Sequence, residues 1–176
     1  TISSGTTVLA STTVLSGPDT GTMDLAGTHT LELVSDLTLL PTGTQISFSG
    51  SVTVNGPGIL INQTTLDLTS DTINADVLNS GTLQVYGSSV INGTLTTTST
   101  SIIHLEGNGS YGASQLTVAN GFTNNGLVEL MDMDDVWGSY LYVTTGTLTN
   151  AGGATLSSLP GAGGARYIDA ESMNEG

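Results

Sequence analysis

The chain has 176 residues, of which only 9% are charged, against about 25% in ordinary soluble domains. Fifteen residues are acidic and one, Arg166, is basic, so the formal net charge is −14. This balance excludes ordinary nucleic-acid binding, which needs Lys and Arg to displace counterions, and argues against adhesion to anionic membranes. Apolar residues make up 37% and recur in alternation, so the chain can bury enough surface to fold. Thr and Val suit a pleated surface, whereas good helix formers are sparse. The expectation is all-β. Cysteine is absent, and no apolar run is long enough for a transmembrane helix.

Along the chain, residues 1–73 read as irregular coils and 74–176 carry the clearest repeats. Asn79-Ser80-Gly81-Thr82-Leu83 and Asn92-Gly93-Thr94-Leu95 pair a turn with the start of a strand. Ile103-His104-Leu105 matches Val128-Glu129-Leu130, 25 positions on. Tyr111-Gly112 matches Trp137-Gly138, and Thr123-Asn124 matches Thr149-Asn150, each 26 apart. Leu116–Asn124 corresponds to Leu141–Asn150 with one residue added, and Asn150-Ala151-Gly152 returns 24 positions later as Asn174-Glu175-Gly176.

A period near 25 with strand-like alternation and no intervening helix predicts a parallel β-solenoid of about seven coils. It is read as one unit, 1–176, a segment of a longer repetitive protein. Val118, Leu130, Val143 and Leu156 are expected to face inward. Asn124, Asn150 and Asn174 are expected to stack as an amide ladder.

The patterns Gly-x-Leu-Thr-Asn-x-x-Gly and Leu-x-Val-x-x-Gly, with Asn-x-Gly-Thr-Leu turns, resemble the passenger regions of bacterial β-helical surface proteins. These are the filamentous-haemagglutinin and autotransporter type, including repeat-bearing exoproteins. The resemblance is strongest over 74–176. It implies a parallel β-helix, usually right-handed, that is secreted, displayed on the cell surface, and serves as an adhesin or a stalk. Self-association, or contact with further coils through the solenoid ends, is the expected partnership, with glycans or a neighbouring cell surface as other partners.

Three groups carry candidate chemistry. The acidic run Asp132, Asp134 and Asp135 offers the oxygen ligands that calcium favours, or else a solvated loop. Tyr111 and Trp137 share a repeat position and are expected to stack, with Tyr140 near, as a platform for sugar rings or a partner; aromatic cover for a corner is the plainer alternative. Enzymatic readings are weak: no Lys exists to serve a lyase, and pairing Asp67 with Asp71 has no support beyond proximity in sequence. The expectation is a non-enzyme. Thr-x-Thr pairs raise ice binding, but they share no register. Asn62, Asn92 and Asn108 head glycosylation sequons that chance alone would produce in so Asn- and Thr-rich a chain.

Overall fold

The structure, a computed structural model, describes residues 5–9, 13–14, 22–42, 45–134 and 136–176. Every regular element among them is a β-strand, and the strands of all three sheets pair in parallel. The chain winds as a three-sided β-solenoid. It makes about six turns, against the expected seven.

The first face belongs to a sheet of nine strands among the described residues, whose long strands also turn the corners, and includes Thr22–Leu33, Gln45–Asn55, Thr72–Ile73, Ser88–Ile91, Ser114–Val118, Ser139–Asn150 and Arg166–Asn174. The second face stacks Thr65–Leu68, Thr82–Val85, Ile102–Gly107, Leu127–Asp132 and Thr155–Ser158. The third stacks Thr13–Val14, Leu37–Leu39, Leu60–Asn62, Val77–Asn79 and Leu95–Thr97. In a middle coil the path runs second, first, third.

The alternation predicted from sequence aims one side of each strand at the axis, where equivalents one coil apart stack. On the second face one inward column is Leu66, Leu83, Ile103, Val128 and Leu156. On the first face Val54, Ile73, Ile91, Val118 and Val143 form another. On the third, Leu37, Leu60, Val77 and Leu95 do the same. Val118, Leu130 and Val143 are buried as expected. Leu156 is not: it sits in register with Val128 but is 36% exposed, because no described strand lies on the outer side of Thr155–Ser158.

The predicted amide ladder exists and extends further than expected. Asn124 donates to Asn150 at 2.8 Å, and Asn150 donates to Asn174 at 3.0 Å. An earlier section joins Asn62 to Asn79 at 2.8 Å. These amides also serve the corner between the third and second faces. Asn62 donates to the Thr82 carbonyl and accepts from the Thr64 amide. Asn124 repeats both bonds with Thr155 and Gly126. Full engagement of buried amides is what makes them tolerable in a core. It also closes the first sequon, because Asn62 is wholly buried. A second ladder, on the outside, runs Asn92 to Asn74 to Asn55 and ends on Glu32.

The repeat is less uniform than the sequence matches imply. The rungs of the outer ladder measure successive coils directly. Glu32 and Asn55 are 23 residues apart, Asn55 and Asn74 are 19 residues apart, and Asn74 and Asn92 are 18 residues apart. Later coils are longer. His104 and Glu129 are separated by 25 residues, and Asn124 and Asn150 by 26 residues.

Candidate functional site

A solenoid wall closed by continuous ladders leaves no recess. Hollows open where adjacent strands lie side by side without ladder bonds, and two such breaks occur among the described residues. One separates Leu95–Thr97 from Phe122–Asn124 and leaves a cleft of 360 Å³. Side chains bridge it: Thr97 Oγ1 donates to the Thr123 carbonyl at 2.6 Å, and the Asn125 amide donates to Thr97 Oγ1 at 2.9 Å.

The other break lies between the start of Gln45–Asn55 and Thr65–Leu68. Its cleft of 200 Å³ is lined by Ser47, Phe48, Ser49, Asp67 and Thr69, and walled by Tyr86 and Tyr111. It adjoins an open hollow of 420 Å³ lined by Thr28, Ser51 and Ser70, with Thr69 and Tyr111 common to both. The two tyrosine rings stack with centroids 5.0 Å apart and planes inclined by 23°.

Local hydrogen bonding holds Tyr111 in place. The 108–112 loop is closed by reciprocal backbone bonds between Asn108 and Gly112, at 3.0 and 2.8 Å. Asn108 Oδ1 accepts from the amides of Ser110 and Tyr111, each at 3.0 Å. Gly112 occupies φ +80°, a conformation that glycine takes without strain. The Trp137 ring lies against its Cα, 3.5 Å from where a Cβ would stand. Asn108 Nδ2 also donates to Glu106 at 2.9 Å. His104 reaches Glu129 at 3.0 Å and Glu106 at 3.7 Å, so an imidazole links two carboxylates beside the cleft. Burial pushes the Asp67 carboxyl up from its ordinary range. Tyr86 is pushed up by burial first, then by the negative charge of Glu106 and Asp67. The site is therefore aromatic, hydroxyl-lined and electronegative.

The expected Tyr111–Trp137 stack does not form. Ser114 pairs with Ser139, and carrying that register back along both chains sets Tyr111 level with Val136 rather than with Trp137. The register offset is 25 residues both before and after this segment and becomes 26 only between Val143 and Leu148, so the 26-residue match of Tyr111 with Trp137 is one residue out of register. Tyr111 stacks instead on Tyr86, and Trp137 backs the loop that presents it. Tyr140 stacks on Tyr142 at 6.4 Å, and Tyr142 leans on Tyr167. A signal for Tyr86 was present in the sequence: Tyr86-Gly87 stands one repeat before Tyr111-Gly112.

Two members of the acidic run, Asp132 and Asp134, accept hydrogen bonds from backbone amides. Asp132 is fully buried, and its carboxylate accepts from the amides of Gly164, Gly163 and Asp134. The Gly164 bond, supported by those of Gly163 and Asp134 and by Arg166, holds its carboxyl below the usual range. Asp134 accepts from the Gly109 amide, and Asp135 lies outside the described residues. Among the described residues no three His, Cys, Asp or Glu side chains gather at metal-binding range. Asp67 and Asp71 occupy opposite sides of the wall. Asp71 is buried and accepts from the Val52 and Thr69 amides, both at 2.8 Å. Burial raises its carboxyl to about 6, against the lowering effect of these bonds.

No protein-family model, no curated protein and no solved structure matches the chain.

Proposed function

We propose that this protein is a structural and adhesive module, a stiff β-helical rod segment displayed outside the cell. The observation that supports the reading is the stacking of apolar columns, with asparagine ladders beside them, through successive coils. Each coil is held by its neighbours, so the coils form a continuous rod rather than a closed globule. A surface built from Thr, Ser and Asn, with few charged residues, agrees with a mechanical and interfacial role. Immunogold labelling of intact source cells tests it. Antibodies raised against the chain should decorate the outside of unpermeabilised cells. Labelling only after permeabilisation would overturn the reading.

Stacking through coil faces is the partnership this geometry favours. Leu156, Tyr167 and Met173 are uncovered on the outermost described coil, and Thr155–Ser158 has a free edge. Further coils of the same polypeptide, or a second copy, would cover them. A net charge of −14 opposes association of copies, so sedimentation should show larger species at higher salt. A single species at every salt concentration would remove self-association.

A further inference from the structure

We propose that the cleft at the ladder break beside Tyr86 and Tyr111 binds a glycan chain built of pyranose units without acidic groups. This proposal is independent of the rod reading, since the cleft would bind the same ligand wherever the chain resides.

The aromatic element comes first. Tyr111 is 54% exposed, with Tyr86 stacked beneath it. An exposed tyrosine face offers the apolar surface on which the C–H face of a sugar ring rests. The loop is fixed by its own hydrogen bonds and by Trp137 behind it, so little ordering entropy remains to be lost on binding. The polar element surrounds this face. Ser47, Ser49, Thr69 and Asp67 line the cleft, and Thr28, Ser51 and Ser70 continue into the adjoining hollow. Hydroxyls and a carboxylate are the complement of sugar hydroxyls, which both donate and accept. A few convergent polar groups around an apolar floor, here Phe48, are the usual anatomy of a binding recess.

The dimensions indicate a chain rather than a single ring. Ser47, Asp67, Tyr86 and the Tyr111 loop belong to four successive coils, which at the strand spacing is roughly 14 Å along the axis. Charge narrows the ligand. Asp67, Glu106 and Glu129 make the neighbourhood negative, and Arg166, the only basic residue besides the two histidines, is spent on the Gly164 carbonyl and Asp132. Uronic, sulfated or phosphorylated sugars would meet repulsion. Neutral and amine-bearing pyranoses would not.

The test is binding of the intact chain to an immobilised panel of neutral, amino and acidic oligosaccharides, followed by titration with the strongest binder. Saturable binding to neutral or amino members is expected. A salt-sensitive signal identifies an amino sugar, and a salt-insensitive one a neutral sugar. Tyr111→Ala should weaken binding about tenfold or more, the loss of one stacked ring. Asp67→Asn should weaken it less. Circular dichroism identical to the parent chain confirms that both variants fold, as Tyr111 is exposed and Asp67 faces outward. The proposal fails if no panel member binds, if only acidic glycans bind, or if folded Tyr111→Ala binds as the parent does.

Discussion

The middle coils and the later coils solve the same packing problem with different amounts of chain. The outer ladder advances 19 residues from Asn55 to Asn74 and 18 residues from Asn74 to Asn92, which leaves room for three short strands and little else. Further on, His104 reaches its neighbour Glu129 only after 25 residues, and Asn124 reaches Asn150 after 26 residues. Two of the inward columns run through both regions without interruption: Leu83 continues into Ile103 and Val128, and Ile91 into Val118 and Val143. The extra residues sit at corners. They include the 108–112 loop and the bulge at 144–147, where Gly146 takes φ +75°. Stacking fixes the strands, while corner length is free to vary because a corner needs only to satisfy its own backbone. Specific chemistry accordingly gathers at corners and ladder breaks.

If the columns are common to both regions, truncating them should cost the same in each. Leu83→Ala in a short coil and Leu130→Ala in a long one should each lose about 2–5 kcal/mol in urea unfolding, the cost of a buried cavity. Leu156→Ala, partly open to solvent, should lose clearly less. A much smaller loss at Leu83 than at Leu130 would mean that the short coils are the looser part.

Asp71 is a buried ionisable group in the wall of the short coils, in register after Val52, and it gives that region a distinct pH response. Its folded value of about 6 lies above the ordinary 3.8, so the native state holds the proton more tightly than the unfolded chain does. Stability from this group is therefore greatest below about pH 4 and falls as pH rises to about 6. Two pKa steps amount to about 3 kcal/mol. The unfolding free energy of the parent chain minus that of Asp71→Asn should fall by about that amount between pH 4 and pH 7. A difference that stays flat with pH would show that the amide bonds cancel the effect of burial, and one that rises with pH that they outweigh it.

The later coils are the more legible in sequence, and the reason is physical. Long coils carry strands of five or six residues, such as Ser114–Val118 and Leu127–Asp132, whose alternation is visible. The sequence matches there identify true register partners: Asn150 with Asn174, Ile103 with Val128, and Thr123 with Thr149. Strands of two or three residues, such as Thr72–Ile73 and Val77–Asn79, are too short to show a period, so a uniform repeat drawn from the later coils misses their true spacing. The Asn62–Asn79 rung, 17 residues apart, is hidden for the same reason. The cleft is the least legible feature. It depends on a missing ladder between two strands, and no residue type records a bond that is not made.

The two asparagine ladders separate inside from outside. Asn79→Ala removes a buried amide that accepts from Asn62 and donates to the Ile102 carbonyl at 3.2 Å. It should cost about 1–3 kcal/mol, because the partners stay buried without a replacement. Asn92→Ala, exposed and bonded to Asn74, should cost under about 1 kcal/mol, since water takes over its role. Equal losses would mean that the ladder itself, rather than its burial, carries the energy.

The smallest expected effect is the sharpest test of register. Glu129 and Leu130 are adjacent in Leu127–Asp132, and a slip of one residue would exchange their faces. Glu129 lies outside, its carboxylate on His104 at 3.0 Å, with a fifth of its side chain open to water. Partly hydrated pairs of this kind contribute about 0–1 kcal/mol, because the two groups lose nearly as much hydration as they gain in attraction. Glu129→Ala should therefore lower the unfolding free energy by about 0.5 kcal/mol, several-fold less than Leu130→Ala in the same strand. His104 has Glu106 at 3.7 Å as a second partner, which limits the loss further. If Glu129→Ala proved as costly as Leu130→Ala, the outward column from Asp67 through Gln84 and His104 to Glu129 would have to face the core. The cleft beside it, which needs Asp67 on the outside, would go with it.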